Sequence, residues 1–316
     1  MKLILLSDTH ITMKTSIGRT DDVGKAVFTK FEFILKYSAK HNIPILQAAD
    51  FFHSPREWNT LFRIMNLLKK YKDKGVKIYS IFGEHDMYLY ADVKKSATSL
   101  GILQRADLVT ILNKNPTPLS ETIDVYGCSS QESVPVPKDA KKINILVIHA
   151  PIYDKPLFPQ HQYYSSRRFL KKHKKYKLIL AGDIHRKFQH TIGGRHIVNT
   201  GPMVRREASK YNLQHVPMFF VYNVKRNILK EILLPCRPSE EVLNRDHIDQ
   251  KDRDDDIAAN FGDTMPKFVK LLKDGGSTNI NLKLNIKNYI DSCGGIINGE
   301  VKQIISKEME DEPGRD

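Results

Sequence analysis

At 316 residues, 41% of them hydrophobic, the chain can bury a substantial core as one large domain or two, which excludes a disordered polymer. Fifty Lys and Arg against 36 Asp and Glu give a formal charge of +14, a balance that suits a polyanion such as nucleic acid, although basic charge also serves solubility. Cys128, Cys236 and Cys293 are too few and too scattered for a disulfide framework or a thiolate metal site, so structural cysteines in a reducing, cytoplasmic setting are expected.

In chain order, the opening MKLILLSDTH has four apolar residues before polar ones, too few for a signal peptide's apolar region, and no later run is long enough to span a membrane. A soluble protein without a membrane partner is expected. The run LILLS reads as a buried strand. Residues 22 to 40 carry Val27, Phe31, Ile34 and Leu35 at helical spacing, with Asp21 or Asp22 as the N-cap. A second strand, IPILQAA, precedes the amphipathic stretch EWNTLFRIMNLLKKYKDKG, which should stop at Gly75. VKIYSIF, INILVIH and YKLILAG add three more strands. FQHTIGGRHIVNTG and MFFVYNVKRNILKEILLP read as hairpins turning at Gly193-Gly194 and near Lys225-Arg226-Asn227, which completes the sheets by about Pro235. The alternation of strands and helices predicts an α/β architecture. Further on, NRDHIDQKDRDDD reads as a linker or exposed helix start, and NINLKLNI alternates like a strand with Ile280, Leu282, Leu284 and Ile286 on one face.

Each of the five buried runs leads into a polar cluster: DTH, DFFH, GEHD, HAP and DIH. In open α/β sheets, ligands sit outside the carboxyl ends of strands. One Asp or His there is usually a turn former. Together the clusters supply Asp8, His10, Asp50, Glu84, His149, Asp183 and His185, the carboxylates and imidazoles that bind divalent metals without thiolates.

Their order resembles the calcineurin-like metallophosphoesterases, whose motifs run D-x-H, G-D-x-x-[DH], G-N-H-D, a lone H, and G-H-x-H. Within that superfamily the chain is most similar to the SbcD or meiotic-recombination-eleven type of DNA repair nuclease subunit. The closer likeness rests on RTDDVGKAVFTKFEFIL after SDTHI, on ADFFHSPREWNTLF, and on IVNTGPMVRR. The resemblance covers roughly residues 1 to 237. It implies a metallophosphoesterase β-sandwich flanked by helices over 1–237, followed by a small α+β or helical capping or partner-docking region over 238–316.

The resemblance further implies one metal held by Asp8, His10, Asp50 and His185 and another by Asp50, Glu84, His149 and Asp183, with Asp50 bridging. Such a pair, about 3.5–4 Å apart, activates water and holds a phosphodiester for in-line displacement. It also makes His85 the general acid, oriented by Asp86, and places His53 on the phosphate or the nucleic-acid strand. Three positions depart from the pattern: Ala49 stands for a glycine, Glu84 for the asparagine and Asp183 for the first histidine of the last motif. Glu84 and Asp183 add oxygen ligands, which favours manganese, with magnesium as the alternative, over zinc.

Substrate class rests on charge placement. SSRRFLKKHKKYK, residues 165 to 177, lies between the fourth and fifth clusters and contains Arg167, Arg168, Lys171 and Lys172. A solvated helix face is the other reading of such a run. Arg186, Lys187, Arg205 and Arg206 add positive charge near the fifth cluster, and Tyr163, Tyr164 and Phe169 offer stacking or packing surfaces. The expected function is a metal-dependent DNA exo/endonuclease of a repair or replication complex. Two rivals are a phosphatase or phosphodiesterase for small phosphoesters or phosphoproteins, and a non-catalytic DNA-binding assembly subunit. The sequence has no GxxxxGK[ST] loop, so the resemblance assigns ATP use to an SMC-like, ABC-type partner of the SbcC kind. A homodimer is compatible with the same resemblance.

Overall fold

The structure is a computed structural model that describes residues 1–16, 18–88, 92–157 and 162–244. The chain divides into two units, Met1–His247 and Ile248–Asp316, and the elements below belong to the first. The expectations for Cys293, the NINLKLNI strand and the capping region past residue 244 lie outside the described residues.

Strand β1 (Lys2–Ser7) is followed by α1 (Val23–His41), β2 (Ile45–Ala48), α2 (Trp58–Lys72), β3 (Ile78–Ser80), α3 (Ser99–Arg105) and β4 (Thr110–Ile111). The second half contains β5 (Thr117–Ser120), β6 (Ile123–Cys128), β7 (Ile143–His149), β8 (Ile152–Tyr153), β9 (Tyr164–Ser165), α4 (Ser166–Lys172) and β10 (Leu178–Gly182). It closes with β11 (Phe188–Ile192), β12 (Arg195–Asn199), α5 (Lys210–Gln214), β13 (Met218–Asn223), β14 (Ile228–Leu233) and α6 (Ser239–Val242). Two six-stranded mixed sheets result, in the orders β14-β13-β1-β2-β3-β4 and β11-β12-β10-β7-β6-β5.

Strand alternation explains why the buried runs are apolar at every position. Leu3 and Leu5 join Leu46, Ile145, Val147, Leu178 and Leu180 in the layer between the sheets. Ile4 and Leu6 face the other way, against Val27, Phe31 and Ile34 of α1 and Leu61 and Ile64 of α2. On the far side, Leu146, Ile148 and Ile179 pack on Phe169 and Leu170 of α4. Both faces of the central strands are therefore covered, giving helix, sheet, sheet and helix layers. The architecture is the expected β-sandwich flanked by helices.

Local signals act as their chemistry dictates. Asp22 caps α1 by accepting the Lys25 N–H at 2.9 Å, and Gly75, at φ +81, takes the left-handed turn after α2. Gly193 and Gly194, at φ +56 and +68, make the β11–β12 turn, and Asn227 (φ 54) ends the β13–β14 turn. The sequence reading missed the β5–β6 hairpin. Its inner strand, IDVYGC, is buried throughout yet contains Asp124, which pairs with Lys142 at 3.0 Å, and its edge strand contains Pro118.

Candidate metal centre

The two sheets bring the carboxyl ends of β1, β2, β3, β7 and β10 to one edge, so residues from both meet there. Asp8, Asp50 and Glu84 come from the first sheet, His149 and Asp183 from the second. The chain turns abruptly at these points: Asp8, His10, Ala49, Asp50 and Asp183 have φ of 41, 41, 63, 45 and 94. Such left-handed backbone costs non-glycine residues of order 1–3 kcal/mol and is found where surroundings over-determine it. Ala49 thus occupies a conformation suited to the glycine of the resembled motif. Two glycines remain where close approach demands them. A Cβ on Gly83 would lie 2.0 Å from Asp50 Oδ1, and one on Gly182 would lie 2.1 Å from the Ala48 carbonyl oxygen.

All seven sequence-derived ligand candidates are brought together. Ligand atoms of Asp8, His10, Asp50 and His185 converge within 4.8 Å of one another, as do those of Glu84, His149 and Asp183. In the first group His10 Nε2 stands 2.8 Å from His185 Nε2 and 3.4 Å from Asp50 Oδ2. In the second, His149 Nε2 is 2.5 Å from Glu84 Oε2 and 3.7 Å from Asp50 Oδ2, which puts Asp50 between the groups. Glu84, longer than asparagine, reaches this cluster, and the Asp183 N–H donates to Asp8 Oδ1 at 2.9 Å. Asp8 Oδ2 and Asp50 Oδ2 are buried without a hydrogen-bond partner among the described residues. Two orphaned carboxylate oxygens facing clustered imidazoles fit divalent cations, because such atoms in a protein interior otherwise require a counter-charge.

The electrostatics point the same way. Burial pushes the Asp8 carboxyl up to about 8 against the opposing pull of His149. Burial likewise holds Asp50 well above the usual carboxylate range. Burial also disfavours the His149 cation, but Asp50, Glu84 and Asp8 outweigh it and raise that imidazole. For Glu84, burial is outweighed by the hydrogen bond and charge of His149, which take it down to about 2. Crowded buried carboxylates short of positive charge are a perturbed cluster of the kind found at functional sites.

His85 and His53 stack beside this cluster, ring centroids 5.3 Å apart, and His85 stands edge-on to His10 at 4.8 Å. The expected orientation of His85 by Asp86 is corrected. His85 Nδ1 lies 2.8 Å from the His53 carbonyl, while the buried Asp86 carboxylate accepts the N–H groups of Phe51, Phe52 and Gly83 at 3.1, 3.0 and 3.2 Å. Asp86 therefore braces the loop carrying Asp50. Asn199 and Thr200 were missed as site residues. Asn199 Nδ2 donates to the Ile184 carbonyl at 2.8 Å, next to His185, and Thr200 Oγ1 accepts the Ser7 N–H at 2.9 Å, next to Asp8. Their only sequence signal was the NTG turn after a strand.

The basic candidates divide. Arg167, Arg168, Lys171 and Lys172 are exposed on α4, and Arg168 and Lys172 line a cleft of about 1270 Å³ together with Glu84, His149, Asp183, Tyr163 and Tyr164. Phe169 is buried in the core. A second cavity, of about 460 Å³, contains His10, His53, His85, Arg186 and Arg206, and Asp183 lines both. Arg206 Nη1 is buried there with no hydrogen-bond partner among the described residues, and Arg186 lies over the Tyr211 ring at 4.1 Å. Two expectations are corrected. Arg205 is buried, donating to the carbonyls of His215 and Arg237 at 2.8 and 3.1 Å, and lines neither cavity of the metal centre. Lys187 is held by Glu231 at 2.6 Å.

No helix among the described residues is long and apolar enough to cross a membrane. The family profile described as "Calcineurin-like phosphoesterase" matches residues 1–187. No curated protein matches the chain. Among solved structures, protein TT1561 of Thermus thermophilus is 10% identical, with 73% of this chain and 98% of that one covered and a TM-score of 0.46. A structure described as a novel archaeal phosphodiesterase is 14% identical, covering 74% and 100%, with a TM-score of 0.39. A putative 5'-nucleotidase from Staphylococcus aureus is 12% identical, covering 75% and 54%, with a TM-score of 0.46.

Proposed function

Because the chain belongs to the calcineurin-like phosphoesterase family, its chemistry is metal-dependent phosphoester hydrolysis, and we propose that its substrate is the phosphodiester backbone of DNA. The observation that carries this reading is the cleft of about 1270 Å³ that Arg168 and Lys172 line together with Glu84, His149 and Asp183. A polyanion drawn along α4 reaches the metal centre, and the net charge of +14 favours such association without sequence selectivity. Tyr163 and Tyr164 on the same cleft offer faces on which bases stack.

In this proposal Asp8, His10, Asp50 and His185 would hold one cation, and Glu84, His149 and Asp183, with Asp50 close by, would hold the other. Divalent cations held there would supply Lewis acidity and a nucleophile from water at neutral pH. With three carboxylates to one imidazole, the second position suits manganese, or magnesium, better than zinc. Arg206 supplies an unshared N–H to a phosphate oxygen. His85, whose Nδ1–H is taken by the His53 carbonyl, would act as an imidazolium that gives its Nε2 proton to the leaving oxygen. His53, lining the same cavity, contacts the phosphate or positions the strand. An ABC-type ATPase partner and assembly through residues past 237 belong to the same proposal.

The test is cleavage of linear duplex and single-stranded DNA with manganese, magnesium or chelator. Metal-dependent cleavage is expected. Hydrolysis of nitrophenyl phosphate without cleavage of DNA would move the substrate to small phosphoesters, and tight DNA binding without metal uptake would leave a binding subunit.

A further inference from the structure

A second charged pocket, of about 550 Å³, opens between the N-terminal half of α1 and the segment after β14. It shares no lining residue with either cavity of the metal centre. Arg19, Lys25, Lys30, Arg205 and Arg237 line it against two carboxylates, Asp21 and Asp22. Those carboxylates are already engaged: Asp21 accepts from Arg19 at 2.7 and 2.8 Å, and Asp22 caps α1. Arg237 pairs with Glu241 at 3.0 Å. Lys30 and Arg205 are different. They are only 4% and 5% exposed. Arg205 donates to neutral acceptors alone, the two main-chain carbonyls and Cys236 Sγ at 3.4 Å, and Lys30 has no hydrogen-bond or ion-pair partner among the described residues.

Two buried cations that share this pocket with one carboxylate already held by Arg19 are under-compensated, at a cost: burial depresses the Lys30 ammonium to about 8, with Cys236 and Asp21 pulling the other way only in part. A bound anion removes that cost. We propose that this pocket binds a phosphate monoester, whose dianion pairs with Lys30 and Arg205. Two buried cations on one wall match a phosphate dianion better than a single carboxylate. A guanidinium fork and an ammonium are the usual donors to its oxygens, and Thr29 adds a hydroxyl on the wall. The volume exceeds that of bare phosphate, leaving room for the ester group of a nucleotide. The site does not rest on the nuclease reading, since its residues lie outside the metal centre.

Cys236 is exposed and lines the pocket, so its alkylation reports occupancy. The full chain is treated with iodoacetamide, with and without chelator, and Cys236 is followed by peptide mass spectrometry. Deoxyadenosine monophosphate at about ten times its Kd should slow the reaction about tenfold. Chloride at equal ionic strength should not. Inorganic phosphate in a parallel arm separates the sources: equal protection identifies the phosphate group alone as the ligand, and weaker protection shows that the ester group contributes. Lys30→Met, which keeps the aliphatic stem, should abolish protection, and Lys25→Gln, at an exposed position, should weaken it. Absence of protection in the wild type, protection reproduced by chloride, or undiminished protection in both variants would overturn the proposal. Because protection is expected with chelator present, its outcome is separate from that of the DNA cleavage test.

Discussion

His85 shows how much a single residue's role depends on what its ring nitrogens touch. With Nδ1 bound by the His53 carbonyl at 2.8 Å, it stands outside the group of Asp8, His10, Asp50 and His185, while its ring also comes within 4.8 Å of ligand atoms of Asp50 and Glu84. His85→Ala should leave metal content unchanged and lower turnover about 10²–10⁴-fold; metal counting beside kcat checks this, and loss of metal would make His85 a ligand. The residue type was legible from GEHD, but its partner was not, because a main-chain carbonyl leaves no mark in sequence. Lys30 was invisible for a related reason: in a helix of regular amphipathic spacing it reads as a surface lysine. Its pKa falls from 10.5 in the unfolded chain to about 8 on folding, so the native state binds fewer protons between those values. Stability should therefore rise with pH from about 8 to 10.5. The penalty at neutral pH is on the order of 3 kcal/mol. In phosphate-free buffer, Lys30→Met should raise the urea midpoint at pH 7 and remove that slope; an unchanged midpoint would show the ammonium to be well solvated.

Among the elements, β10 and α4 set the centre most directly. β10 was legible because YKLILAG is apolar on both faces, yet its last residue matters for what it lacks. The Cβ of Gly182→Ala would meet the Ala48 carbonyl at 2.1 Å and His149 Nδ1 at 2.9 Å. Since the first obstacle is main chain, the two sheets must part, and a loss of about 1–3 kcal/mol is expected by denaturant titration. Metal uptake should fall with it, and a neutral result would mean that the sheets slide freely at this edge. α4 was legible as a basic stretch but not by face. Arg168 and Lys172 line the large cleft, whereas Arg167 and Lys171 do not. Neutralising Arg168 and Lys172 to Gln should flatten the log-log salt dependence of DNA binding by about 0.9 per lost phosphate contact. The same change at Arg167 and Lys171 should have the smaller effect, and equal effects would return the whole helix to a general solvated charge.

At the scale of the molecule, the centre is a joint between two sheets, with Asp8 and Asp50 buried on one side and His149 on the other. Divalent cations there should stabilise the fold as a whole. Metal at about 1,000 times its Kd should add about 4 kcal/mol, read as a rise in Tm over the chelated protein. No shift would argue against resident cations. The five strand ends could be read from sequence because each carries a carboxylate or imidazole after an apolar run. The second sheet's edge could not: Pro118 and Asp124 interrupt the apolar pattern of β5 and β6, which are held by pairing rather than by pattern.

Strand order also sets a timetable. β1 lies in the middle of its sheet, with Leu5 paired to Phe220 of β13, so its neighbour on one side is the next-to-last strand among the described residues. At ribosomal rates that partner follows on the order of ten to forty seconds later. Asp8 and His10 wait a shorter interval for His185, which lies beyond β10. A nascent chain therefore cannot assemble the ligand set before His185 is made, and a hydrolase of phosphoesters stays inert beside the RNA that encodes it until synthesis has passed that residue.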